Sequence, residues 1–308
     1  MITINDLKLN RLGIDILNSV SLNIEDNSVT CILGNENSGK SSILRAISGV
    51  YQNYYGEILI DNKDIKDTNE IIVDILHENR ERDSELTVYE YLSFYGAIYN
   101  KYNKKELEQF IDENLKNFSL ISYKYTNINM LDNYDYKLVE LIRILINDPN
   151  IILFDDLFTY DNEEFNEKML GYIKTVIGKK TLIFAARSLN YIEELVTHIG
   201  IIDNGTLIVF GDKESIYKTA ELSKKVQVDI ISGLSEALEV LKENENVNDI
   251  IYNDNSITFT ISNKTARFVN RDEVDSDILN CLIQRGVKVF SFKRQRAKFE
   301  QLFERLVG

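Results

Sequence analysis

Apolar positions early in the chain fall at every second place: Val20, Leu22 and Ile24 alternate with polar neighbours, and Ile58, Leu59 and Ile60 close a later run after Gly56-Glu57. Turn formers such as Asp26-Asn27 and Asp61-Asn62 bound these stretches, so the first sixty residues read as short strands in a mixed layer. From about residue 86 to 147 the spacing becomes helical. Leu138, Leu141, Ile142, Leu145 and Ile146 follow i, i+3, i+4, i+7, i+8, the stripe of an amphipathic helix. Pro149, the only proline, ends it, because a proline disfavours helical backbone at the residue before it.

Four apolar residues, Ile151, Ile152, Leu153 and Phe154, then deliver Asp155 and Asp156 to a strand end. Strands at 181–186 and 198–202, with helices between, fit a parallel sheet of βαβ units, and a hairpin over 200–210 turns at Gly205. A helix over 213 to about 224 predicts a connector. Beyond residue 225 the pattern restarts as strand 226–231, helix 234–242, strands 247–252 and 256–261, helix 272–285 and strand 287–292. That β-α-β-β-α-β order is compatible with a ferredoxin-like split βαβ unit, with 262–270 and a final helix from 295 as additions. The expected organisation is a domain over 1–211 with a helical subdomain at about 85–147, a connector at 212–224, and a small α+β domain over 225–308.

Composition narrows the chemistry. A length of 308 residues fits about two domains, and the apolar runs are far shorter than the roughly 20 residues that span a bilayer. The opening Met1-Ile2-Thr3-Ile4-Asn5 lacks the charged and apolar regions of a signal peptide, which predicts a cytoplasmic protein. A net charge of −14 argues against nucleic acid as a ligand, since phosphate-backbone binding needs clustered Lys and Arg. Cys31 and Cys281 read as core packing, and His77 and His198 alone do not make a zinc centre.

The most specific signal lies after the apolar run Val29-Thr30-Cys31-Ile32-Leu33. Gly34, Asn35, Glu36, Asn37, Ser38, Gly39, Lys40 and Ser41 fit G-x-x-x-x-G-K-[ST], and a helical stretch with Ile43, Leu44 and Ile47 on one side follows. In such a loop the backbone N–H groups and the positive helix end cradle phosphates, Lys40 reaches the terminal ones, Ser41 ligates Mg²⁺, and Ser42 completes the nucleotide contacts. ATP or GTP with Mg²⁺ is the predicted ligand.

With phosphate loop, helical insert and Asp-bearing strand in this order, residues 1–211 resemble the nucleotide-binding subunits of ATP-binding cassette (ABC) transporters. Ile47-Ser48-Gly49, Gly56-Glu57-Ile58, the run Leu86-Thr87-Val88-Tyr89-Glu90-Tyr91-Leu92, Asp148-Pro149 and Asp203-Asn204-Gly205 carry the likeness. The remainder, with its closing Phe299-Glu300-Gln301-Leu302-Phe303, resembles accessory domains of bacterial exporter ATPase subunits. The resemblance implies a P-loop NTPase fold of ABC type, ATP and Mg²⁺ as ligands, Asp155 on the metal, and Glu78 in place of a Gln that meets the metal and the attacking water. It further implies a membrane-spanning partner that holds the chain at the inner membrane face, and an aromatic helix (Tyr89, Tyr91, Phe94, Tyr95, Tyr99) that either packs the core or receives that partner.

Several positions depart from the family. Asp156 stands where a water-polarising glutamate is expected; one methylene less withdraws the carboxylate by about 1.5 Å, and a misplacement near 1 Å can cost on the order of 10²-fold in rate. Arg187 replaces the switch histidine, either as a bidentate donor to the γ-phosphate or as a surface residue. Arg11 falls where an adenine-stacking aromatic belongs, and either stacks on the base or is solvated. At the signature segment, LSGGQ in the family, the chain has Leu131-Asp132-Asn133-Tyr134-Asp135. Asp132 would face the γ-phosphate of an opposing subunit, and two unit charges about 4 Å apart repel by about 4 kcal/mol at an effective dielectric near 20; alternatively it caps the following helix. The expected function is therefore an ATP-binding transporter subunit, exporter type, with weak or absent hydrolysis, pairing with a second ATPase subunit as a heterodimer in preference to a homodimer. An active exporter ATPase and a soluble nucleotide-dependent regulator are the alternatives.

Overall fold

The computed structural model describes residues 1–67, 73–77, 85–158, 162–219, 225–261 and 271–294. It divides into two units, Met1–Lys213 and Glu214–Gly308. In the first, β1 (Ile2–Arg11), β2 (Ile14–Ile24), β3 (Val29–Leu33), α1 (Lys40–Ile47), β4 (Tyr55–Ile60), β5 (Lys63–Asp64) and β6 (Val73–Leu76) lead into three helices, α2 (Val88–Tyr99), α3 (Lys104–Asn117) and α4 (Asn133–Asn147). Then follow β7 (Ile151–Asp155), α5 (Glu163–Val176), β8 (Thr181–Ala186), β9 (His198–Asp203) and β10 (Thr206–Asp212).

Two sheets form. An antiparallel one has the order β2-β1-β4-β5; the other has the order β10-β9-β3-β8-β7-β6, parallel from β9 to β6 and closed by the antiparallel β9–β10 hairpin. Strands β3 and β7 are buried at every position, which is why their sequences are near-continuous apolar runs while β1 and β2 retain more exposed positions. One core joins Ile4, Leu22 and Ile58 of the antiparallel sheet to Leu153 and Ile183 of the parallel one and to Ile43, Leu44 and Ile47 of α1. This packing fixes the start of α1 beside the end of β7, where the chemistry lies.

The helices begin and end where local chemistry directs. Thr87 with Glu90 caps α2 and Asn103 with Glu106 caps α3, both as reciprocal capping boxes. At the far end of α4, Asp148 takes a left-handed conformation (φ 46°) and Pro149 forbids continuation. One expected helix is absent. Residues 187–197, between β8 and β9, form a chain of turns tied by Ile192 N–H to the Leu189 carbonyl and Leu195 N–H to the Ile192 carbonyl. The segment is too short to turn back along the sheet as a regular helix.

The second unit contains α6 (Lys213–Thr219), which starts at the boundary, then β11 (Lys225–Ser232), α7 (Leu234–Glu243), β12 (Val247–Tyr252), β13 (Ser256–Ile261), α8 (Arg271–Gln284) and β14 (Lys288–Arg294). Its sheet, ordered β12-β13-β11-β14 and wholly antiparallel, is the split βαβ arrangement expected from the sequence. Val226, Val228, Ile257 and Phe259 pack with Leu241 of α7 and with Ile278 and Leu282 of α8. Cys281 corrects the sequence reading: it is exposed, because the buried face of α8 runs through Ile278 and Leu282 and position 281 lies beside it, whereas Cys31 is buried. The expected additions at 262–270 and from 295 onward, with the closing phrase at 299–303, lie outside the described residues.

Candidate phosphate-binding site

The loop between β3 and α1 folds as the motif requires. Asn37 (φ 61°) and Gly39 (φ 106°) are left-handed, and a Cβ on Gly39 would lie 2.8 Å from Leu17 Cδ2 and 3.0 Å from the Ile16 carbonyl. At Gly34 a Cβ would meet the Ile202 carbonyl at 2.3 Å, so neither glycine is replaceable without moving backbone. Ser38 accepts a bond at its carbonyl from the Gly205 N–H (2.9 Å), so the tip of the β9–β10 hairpin braces the loop.

Lys40 is buried and donates to the Asn35 carbonyl at 2.6 Å. Burial lowers its ammonium pKa, while Asp156 and Asp155 pull it back up. An ammonium held dry beside the loop is poised for an anion. Ser41 donates its hydroxyl to Asp155 Oδ1 at 2.6 Å, which brings the two predicted metal residues together across 114 positions of sequence. The other carboxylate oxygen of Asp155 is buried without a hydrogen bond and lies 3.8 Å from Arg45 Nη2. A hydroxyl and a carboxylate with an unused buried oxygen are hard donors that fit Mg²⁺, which takes few protein ligands and leaves the rest to phosphates and water. Ser41 and Asp155 would hold the ion here. Glu78, the third predicted ligand, lies outside the described residues.

Asp156 follows in a left-handed conformation (φ 46°), its N–H bonded to the Ala185 carbonyl at 2.9 Å. Burial raises its carboxyl pKa, opposed by Lys40 and Arg187. Arg187, at the end of β8, sets Nε 3.6 Å from Asp156 Oδ2 and Nη1 3.9 Å from Glu36 Oε2. Two separately predicted residues thus meet, and Glu36, named in the loop motif without a role of its own, lies beside the same guanidinium. A cavity of about 290 Å³ opens beside them, lined by Asp156, Phe158, Ala186, Arg187 and Tyr191. Arg11 is engaged elsewhere: it donates to the Tyr51 hydroxyl at 2.6 Å and lies over that ring at 4.7 Å. Arg45 also donates to Tyr51, at 3.2 Å. The position of Arg45, one turn after Ser41 on α1, was the signal that would have found it.

At the signature position Asp132 is the N-cap of α4, accepting from the N–H groups of Tyr134 and Asp135 at 2.8 Å each. Tyr134 packs its ring 5.5 Å from Phe165.

A parallel sheet, a phosphate loop on α1 and a three-helix insert between β6 and β7 define the P-loop fold of ABC ATPases. Residues 17–159 match the family model described as ABC transporter. Over those residues the chain is similar to the ABC transporter family. Among curated proteins, the ABC transporter ATP-binding protein NatA of Bacillus subtilis is 27% identical over 205 residues, spanning 65% of this chain and 83% of that protein. The energy-coupling factor transporter ATP-binding protein EcfA2 of Clostridium perfringens is 24% identical over 243 residues, 76% of this chain and 84% of the relative. A bacterial ABC transporter cassette solved as a dimer superposes with a TM-score of 0.61 at 23% identity, over 69% of this chain and 98% of that one. Fold, loop and family agree on an ATP-binding subunit of the ABC transporter kind. Among the described residues no helix is long and apolar enough to cross a membrane.

Proposed function

We propose that this subunit binds Mg-ATP at its own phosphate loop, turns it over slowly or not at all, and works beside a membrane-spanning partner at the inner membrane face. Asp132 carries the slow-turnover reading. Where the family offers a hydroxyl and bare glycine backbone to the γ-phosphate of an opposing subunit, this helix begins with a carboxylate that already occupies the Tyr134 and Asp135 N–H groups. Negative charge stands where negative charge must be received. Asp156 adds a shorter arm than the family's glutamate, and it is already paired with Arg187.

On the binding side, Lys40 supplies charge to the phosphates, Ser41 and Asp155 orient the ion, and Arg187 reaches the γ-phosphate from the end of β8. Bound Mg²⁺ neutralises phosphate charge and polarises the terminal phosphoryl group. The dimeric cassette of like fold supports pairing as the mode of action. A second, competent ATPase subunit is favoured over a second copy, since a homodimer would contain each defect twice. The C-terminal β-α-β-β-α-β unit, through its likeness to exporter accessory domains, favours export. Exposed Phe94 and Ile98 on α2 offer the membrane partner a foothold, whereas buried Tyr91, bonded to Glu140, belongs to the core.

Purified protein is expected to bind ATP with Mg²⁺ in calorimetry, to lose binding on Lys40→Ala, and to show little phosphate release. A turnover by the chain alone within the usual range of about 1 to 10³ s⁻¹ would overturn the slow-turnover reading in favour of an active ATPase. Retained affinity in Lys40→Ala would remove the loop assignment. Capture from membranes in ATP should bring down a multi-spanning chain; its absence favours the soluble regulator.

A further inference from the structure

Glu36 places a carboxylate inside a loop whose task is to surround phosphates. Its side chain is largely exposed, and its Oε2 lies 3.9 Å from Nη1 of Arg187. The opposite edge of that guanidinium, at Nε, lies 3.6 Å from Asp156 Oδ2. The two loops that carry these residues leave adjacent parallel strands, β3 and β8, which pair Leu33 with Ala186. Geometry therefore spreads one planar cation between two protein carboxylates, one of them on the phosphate loop itself.

We infer that Glu36 is a positioning residue that competes with the γ-phosphate for Arg187 and so sets how strongly the site prefers ATP over ADP. This rests on the proposed reading of Arg187 as the γ-phosphate donor. A guanidinium binds a phosphate through its fork of N–H groups, and Nη1 belongs to that fork. With no γ-phosphate, as with ADP, Arg187 keeps Glu36. With ATP the phosphate must displace it, and Glu36 is left beside a like charge. Arg187 is half-exposed, its side chain retaining 47% of its accessible surface, so a phosphate can approach it from solvent. An exposed ion pair is worth at most about 1 kcal/mol, about fivefold in affinity, so the effect is a bias and not a block.

The test is titration calorimetry of the full chain with Mg-ADP and with the Mg complex of a non-hydrolysable ATP analogue. Glu36→Gln should tighten the analogue about fivefold and ADP by less than about twofold. Arg187→Gln should weaken the analogue and leave ADP nearly unchanged, and in the double variant the effect of Glu36→Gln on the ratio should vanish. If Arg187→Gln lowers analogue affinity but Glu36→Gln leaves the ratio unchanged, or tightens both ligands equally, the competition is wrong while the Arg187 reading stands. If Arg187→Gln leaves the analogue unaffected, the Arg187 reading fails and the competition with it.

Discussion

Two carboxylates at the start of α4 show how single residues decide this chain's chemistry. Asp132 caps the helix through two backbone N–H groups, a role legible in the sequence because Asp before an apolar helical stripe is a common N-cap. Asp135, three residues on, has its pKa raised, by burial first and by the charge of Asp132 next, with Lys168 opposing. The proton is then held more tightly folded than unfolded, so the stabilising contribution is complete below the unfolded value near 3.9 and is lost as pH rises through the folded one. Asp135→Asn should therefore melt above the wild type at pH 7.5, with the gap closing as pH falls toward about 4. A variant that melts lower at pH 7.5 would mean that attraction between the anion and the helix N-terminus outweighs burial. Glu36 and Arg45 were harder to find than Asp132. Their partners lie far along the chain: no local pattern announces the role of Glu36, and only its place one turn after Ser41 points to Arg45.

Between elements, the helical insert is fastened to the parallel sheet by a buried polar network. Arg143 of α4 bonds Asp74 of β6 at 2.9 Å and Tyr99 of α2 at 2.9 Å, and pairs with Glu140 at 3.3 Å; Tyr91 donates to Glu140. All of these but half-buried Tyr99 are buried or nearly so. The apolar stripe of α4 was readable by its period, whereas nothing in that period assigns partners to Glu140 and Arg143. Only the fold reveals that the insert wraps both faces of the helix and that Asp74, 69 residues away, supplies the counter-charge. Arg143→Met strands Asp74 and Glu140 as buried anions, and removing one partner of such a pair costs about 3–5 kcal/mol. Urea denaturation should record a loss of that size, partly recovered in Asp74→Asn/Arg143→Met. A loss under about 1 kcal/mol would mean that water already reaches the network. The helix expected between β8 and β9 failed for a related reason: apolar residues in a short connection can be buried by turns as readily as by a helix.

At the scale of the molecule, charge and core divide the chain in the same place. Residues 1–213 carry −13 of the net −14, so residues 214–308 are nearly neutral. The core cluster around the phosphate loop draws all its members from the first unit, and that of the βαββαβ sheet draws all its members from the second. A unit with its own core unfolds as its own cooperative transition, and a ligand raises only the transition of the unit that binds it, by RT ln(1 + [L]/Kd), about 2.7 kcal/mol at a hundredfold excess over Kd. Scanning calorimetry of the full chain should then resolve two transitions, and Mg-ATP should move one of them upward. Lys40→Ala should abolish that shift without moving the other transition. A single transition that rises as a whole with Mg-ATP would mean that the two units unfold as one cooperative body, and that the second unit feels nucleotide binding directly. Division into two independent bodies would then give way to a coupled pair, with the C-terminal sheet stabilised by events at the phosphate loop.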